Sequence, residues 1–245
     1  MKILCVSDQI DPLVYSNYAK ERFADISAIL CAGDLPSDYI DFIVSTLNKP
    51  AFFIFGNHNL NEFGYYHKKQ NSHKGAHPTL NEHYNQFDLK GSFGASYVGF
   101  KNLREKKLTI IDSKTKKKRP LLISGISGSK RYNRGLNQYT EKQMAFYLLK
   151  LVPGLLWNKL RYGVYMDIFL THAPPRHIHD KEDPCHQGFE SFNKFLNFFP
   201  PHFLVHGHIH LYDGNEERVT KVEYKKGNTV IINAYSHFIL DLDKE

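Results

Sequence analysis

Eight short apolar runs recur along the chain: KILCVS, SAILCAG, AFFIF, LLISG, DIFLT, FLVHG, NTVIINA and HFILD. They are too short for helices and are rich in the residues that strands favour, so each predicts a buried strand. Segments of helical spacing lie between the early ones. In PSDYIDFIVSTLN, Pro36 can open a helix on which Tyr39, Ile40, Ile43, Val44 and Leu47 form an apolar stripe. Further on, TEKQMAFYLLKLVPGLLWNKLRYG reads as a helix broken at Pro153-Gly154, and GFESFNKFLNFF as an amphipathic helix. After Gly207 the chain turns back to strands. This order predicts an α/β fold, a four-layer α/β/β/α sandwich of two mixed β-sheets flanked by helices, in one domain over residues 1–245. The segment NLNEFGYYHKKQNSHKGAHPTLNEHYNQ is too long for an ordinary connector and reads as a flap or an insertion.

Five of the predicted strands stop at a side chain able to bind metal. Asp8 follows ILCVS, Asp34 follows ILCAG, Asn57 and His58 follow FFIFG, His172 follows IFLT, and His208 and His210 follow FLVHG. A lone histidine at a strand end is usually structural; five such ends in one chain are not explained that way. Carboxylate, amide and imidazole donors together suit Mn, Fe, Zn or Co. In GHIH, His208 and His210 are two residues apart and leave one face of an extended strand, which lets them reach two neighbouring ions. Gly33, Gly56 and Gly207 precede ligand candidates and let backbone approach them closely.

The formal net charge of +7 is a local property. Residues 101–120 hold nine Lys or Arg against Glu105 and Asp112, and the rest of the chain carries 23 of each sign. The basic run SKTKKKRP lies between two strand-like segments and reads as a solvated hairpin tip; no aromatic residue interrupts it as a base-stacking surface requires, so nucleic acid is not an expected partner. MKILCVSD meets a charge too early for a signal peptide, and no apolar run approaches the roughly 18 residues of a membrane span, which predicts a cytoplasmic protein without membrane insertion. Three cysteines, two of them inside apolar runs, imply no disulfide framework.

SD, GDLPSD, GNHN, THAPP and GHIH, in this order over residues 7–210, resemble the signature of the calcineurin-like metallophosphoesterases, and INAYS is similar to the closing strand of their bacterial members. The resemblance implies the metallo-dependent phosphatase type of sandwich. It implies that Asp34 bridges two metal ions, that Asn57, His172 and His208 complete one site, and that Asp8 and His210 hold the other. Where that family has a histidine two residues after the first aspartate, this chain has Ile10. Asp11 is the nearest donor, and Pro12 biases it towards an extended conformation, so the expected replacement is a D-x-x-D motif with Asp11 as ligand; Gln9, or Asp11 as a plain turn acid, are the alternatives. An added carboxylate favours Mn or Fe, with Zn or Ni next.

A pair of ions sharing a hydroxide suits in-line attack on a phosphoester, either a phosphodiester or a phosphomonoester of a small molecule. By the same resemblance, His58 protonates the leaving oxygen, and Asn59 stands where relatives carry an acid to orient it. Arg131, Arg134 and Arg176 lie in loops after strand ends, and their guanidinium forks suit phosphate. The competing readings are a non-catalytic metal-binding interaction module, and a nuclease or lipid-headgroup hydrolase using the basic hairpin or the apolar FYLLKLVPGLLW. The sequence leaves the oligomeric state open.

Overall fold

All eight apolar runs become strands in the computed structural model, which describes residues 1–67, 94–111, 116–212 and 216–243. Along the chain these elements are β1 (Lys2–Ser7), α1 (Ala19–Arg22), β2 (Ile26–Cys31), α2 (Ser37–Leu47), β3 (Ala51–Phe53), α3 (Phe63–Tyr66), β4 (Ser96–Tyr97), β5 (Lys101–Ile111) and β6 (Lys118–Ile126). They continue as β7 (Ser129–Lys130), β8 (Gln138–Tyr139), α4 (Glu141–Tyr162), β9 (Ile168–Thr171), α5 (Glu190–Leu196), β10 (Phe203–His206), β11 (Val219–Tyr224), β12 (Gly227–Asn233) and β13 (Ser236–Asp241). Most of the long segment expected to be a flap lies outside the described residues.

One sheet has the order β13-β1-β2-β3-β4, and the other β11-β12-β10-β9-β6-β5. In the first, β1 to β4 are parallel and β13 runs antiparallel to β1. In the second, β12, β10, β9 and β6 are parallel, and β11 and β5 close the edges antiparallel. Alternation along each strand sorts the core into layers. Ile3, Cys5, Ala28 and Leu30 face Ile123, Ile168, Leu170 and Val205 between the sheets, while Leu4, Val6, Ile29 and Cys31 face the first helical layer. On the far side, Phe169, Leu204 and Ile231 pack against α4 and α5 through Met144, Leu148, Leu151, Leu155 and Phe192. The four-layer α/β/β/α sandwich is thus present, and all three cysteines are free.

The expected break at Pro153-Gly154 is absent: α4 runs unbroken from Glu141 to Tyr162. Proline removes one backbone donor, but Pro153 lies on the exposed face while Leu151 and Leu155 on either side are buried in the core, so packing holds the helix through it. The helix starts with a reciprocal cap, in which Gln143 N donates to Thr140 Oγ1 and Thr140 N donates to Gln143 Oε1.

Candidate metal centre

Parallel strands carry their C-terminal ends to one rim. Here β1 leads to Asp8, β2 to Asp34, β3 to Asn57, β9 to His172 and β10 to His208. At three of these positions the chain flips into the left-handed region: φ is +65° at Asp8, +55° at Asp34 and +69° at His208. Such a backbone is unfavourable for a residue with a side chain and persists only where its surroundings hold it. They do so here, since Asp8 N donates to Gly33 O at 3.1 Å and His208 N to both carboxylate oxygens of Asp8 at 3.0 and 2.9 Å. The flip was not legible in the sequence, although the glycines hinted at it. A Cβ on Gly56 would lie 2.0 Å from Asp34 Oδ1, and one on Gly207 2.4 Å from Asp8 Oδ2.

Donor atoms of Asp34, His172 and His208 lie within 4.8 Å of one another, all three residues buried. His172 Nε2 is 3.2 Å from Asp34 Oδ2 and 3.2 Å from Asn57 Oδ1. Asn57 Nδ2 donates to the Tyr132 hydroxyl at 3.3 Å, which turns the amide oxygen towards the cluster. Each imidazole has one nitrogen tied to a backbone carbonyl: His172 Nδ1 to Ala32 O at 2.9 Å, and His208 Nε2 to Cys185 O at 2.7 Å. That leaves His172 Nε2 and His208 Nδ1 for a metal, the arrangement by which metal sites fix a histidine tautomer.

Burial alone would lower the pKa of His172, but the charge and hydrogen bond of Asp34, with Asp8 beyond, raise it to about 9. Burial likewise pushes Asp34 up, and is outweighed by the His172 charge and by hydrogen bonds from His172 and His58 N, which hold it at about 2. Asp8 stays raised, because burial and the neighbouring Asp34 charge exceed the help from His172. His208 is lowered to about 3, first by burial and then by His172, and so keeps a lone pair free. Asp34 and His172 thus favour positive charge between them, while His208 stays neutral. Asp34, Asn57, His172 and His208 could hold a divalent cation here, which would supply that positive charge and compete with a proton for His172 Nε2.

Across the rim, His210 Nε2 lies 3.9 Å from Asp8 Oδ1, and its Nδ1 is bonded to the Tyr212 hydroxyl at 2.7 Å. The Tyr235 ring, 4.9 Å from that of His210, forms the adjoining wall. Tyr132, Tyr212, Tyr235 and the Cys185 carbonyl escaped sequence reasoning because none lies in a signature block; INAYS was the only pointer to Tyr235.

Other candidates are placed elsewhere. The structure does not bring Asp11 to the cluster. Its Oδ1 accepts Leu13 N at 2.7 Å and Val14 N at 3.3 Å, and its Oδ2 is bonded to Ser236 Oγ and, at 2.5 Å, to His237 Nδ1. Asn59 does not meet His58 as expected; at φ +51° its amide donates to Asp34 O at 3.0 Å. His58 is exposed, and its backbone N–H donates to Asp34 Oδ1 at 2.7 Å. Arg176 is committed to Asp180 and Glu182, both at 2.6 Å. Arg131 turns towards Gln138 O and Gln143 Oε1. Arg134 is exposed, and among the described residues it forms no ion pair.

Two stacked sheets whose parallel strands deliver carboxylate, amide and imidazole donors to a common rim define a metal-binding α/β sandwich of the metallo-dependent phosphatase type. The sequence matches the calcineurin-like phosphoesterase family over residues 1–212, and the chain belongs to that family, which hydrolyses phosphoesters at a dinuclear metal centre. The fold is shared with TT1561 of Thermus thermophilus, a crystal structure superposing with a TM-score of 0.55 at 14% identity, over 99% of this chain and 94% of that one. A second solved structure has a TM-score of 0.61 at 12% identity, over 100% of this chain and 96% of the other. No curated protein matches by direct sequence comparison.

Proposed function

We propose that this protein hydrolyses a phosphodiester or phosphomonoester of a small molecule at this rim, using two metal ions held by Asp8, Asp34, Asn57, His172, His208 and His210. One observation carries the reading: donor atoms of Asp34, His172 and His208 lie within 4.8 Å of one another, with His172 Nε2 3.2 Å from both Asp34 Oδ2 and Asn57 Oδ1. Two ions there would supply Lewis-acid charge and a nucleophilic water near neutral pH. The pair Asp8 and His210, together with Asp34, is rich in hard oxygen donors, which supports Mn or Fe for that ion. Asp11 has no part in this reading, since its oxygens are taken.

The protein's own side chains would do the rest. His58 follows ligand Asn57 and is exposed at the rim, where it can give a proton to the leaving oxygen. Of the three arginines, Arg134 alone is exposed without an ion-pair or hydrogen-bond partner among the described residues, and so is the candidate for a substrate phosphate. Assay of bis-para-nitrophenyl phosphate and the para-nitrophenyl monoester, with Mn, Fe, Zn or Ni added to chelator-stripped protein, tests the proposal. Activity should vanish on chelation and return with metal. Asp34→Asn should lose both bound metal and activity, whereas His58→Ala should keep its metal and lose roughly 10²- to 10⁴-fold in kcat. Fully metallated protein inert towards both esters would overturn it.

A further inference from the structure

Helix α4 is apolar on two opposite faces. Met144, Leu148, Leu151 and Leu155 are buried against the second sheet. On the other side Phe146, Leu149, Leu156, Trp157 and Leu160 are 57%, 66%, 52%, 55% and 80% exposed. At 100° per residue these five, with Pro153, span an arc of about 100°, an uninterrupted stripe opposite the core face. Apolar stripes of this kind on soluble domains mark interaction surfaces.

The charges around the stripe decide what it meets. Lys142 extends it by one turn, Lys150 and Arg161 lie along one edge, and Lys159 flanks the other. The lone acid on the helix, Glu141, is turned away to accept the backbone N–H groups of Glu190 and Ser191. Beyond the C-terminal end of α4 a groove of about 1090 Å³ is lined by Lys106, Lys117, Lys118, Lys159, Arg161 and Lys226. The acids lining it are neutralised in place, Asp167 by Arg119 and Asp243 by the chain amino terminus. A second copy docking through this face would oppose cations with cations. Leucines and a tryptophan between rows of Lys and Arg match the boundary of acyl chains and anionic headgroups.

We propose that α4 docks this protein on anionic lipid bilayers, its stripe entering the headgroup boundary and its lysines and arginines engaging lipid phosphates. This surface is separate from the metal rim and does not depend on the activity proposed there. Trp157 is the protein's sole tryptophan and so reports on the stripe directly. The full-length protein should sediment with vesicles of phosphatidylglycerol and phosphatidylcholine, with Trp157 emission shifted to the blue, and should do so at least tenfold more weakly with phosphatidylcholine alone or in high salt. The double variant Leu149→Glu, Leu160→Glu should lose vesicle binding while keeping its melting temperature, because both side chains are already exposed. Lys150→Glu with Lys159→Glu should weaken binding to anionic vesicles alone. Failure to bind anionic vesicles overturns the proposal. So does a blue-shifted Trp157 without lipid in a dimer that Leu149→Glu dissociates, which would assign the face to a second copy of the chain.

Discussion

Ile10 is 44% exposed and offers no donor beside Asp8, so the proposed two-ion centre would have one well-furnished site and one with fewer ligands. Asp34, Asn57, His172 and His208 would supply the first; Asp8 and His210, sharing Asp34, would supply the second. The two ions should accordingly differ in affinity. After dialysis without metal, elemental analysis should find close to one equivalent retained, and activity should rise again on adding Mn. Ile10→His supplies an imidazole at that position and should tighten the weaker ion at least ~10-fold, as changes around metal sites commonly do; unchanged affinity by calorimetric titration would show that position 10 does not face the ion. Asp11 has a different task. Burial works against its charge, yet hydrogen bonds from Ser236, His237 and Leu13 lower its pKa, and its carboxylate ties the loop after β1 to the start of β13. Asp11→Asn should therefore keep metal stoichiometry and cost about 1–3 kcal/mol in denaturant unfolding, the loss expected when buried partners are left unsatisfied.

Among the elements, those read from the sequence were the ones whose apolar residues run together. The strands around the rim were legible because both of their faces are covered. Strand β11 was not: in VTKVEY, buried or half-buried residues alternate with exposed ones at a sheet edge, and the run is broken by Lys221 and Glu223. Strands β4, β7 and β8 are two residues each and leave no periodic trace. The cluster of Asp34, His172 and His208 was legible because each of its residues follows an apolar run, whereas the partners of Asp11 lie 225 and 226 residues away, and those of Arg176 are acids of its own loop. One buried ion pair was equally invisible. Arg119 on β6 meets Asp167, just before β9, through two bonds of 2.7 and 2.8 Å, and Asp167 also accepts Leu122 N at 2.9 Å. Asp167→Ala would take this acceptor from both the buried guanidinium and that N–H. The expected destabilisation is about 3–5 kcal/mol, with activity intact in the fraction that stays folded; chemical denaturation followed at β-sheet wavelengths checks it.

For the whole molecule, the charges at the rim couple folding to pH and to metal. His172 is raised from its ordinary 6.5 to about 9 in the folded chain, so its contribution is complete below pH 6.5 and fades as pH climbs through about 9. Asp34 is lowered from 3.8 to about 2, so its contribution is present above pH 3.8 and is lost as pH falls through about 2. Both terms are full only between these limits, in mildly acidic solution. In the metal-free protein above pH 6.5, the unfolded chain has already released the His172 proton while the folded chain still holds it, so the advantage of the pairing with Asp34 shrinks until the folded protein too sheds it near pH 9. Its melting temperature should thus fall from about pH 6 towards pH 9. A divalent ion held at His172 Nε2 would compete with that proton and so bind more tightly as pH rises. The gain in melting temperature on adding Mn should therefore be small near pH 5.5 and large near pH 8.5, and His172→Gln should flatten both the metal-free decline and the metal-induced gain. Thermal unfolding at several pH values, with and without Mn, measures all of these together. A metal gain independent of pH would mean that His172 carries no displaceable proton, and with it would go the argument that a cation belongs between His172 and Asp34.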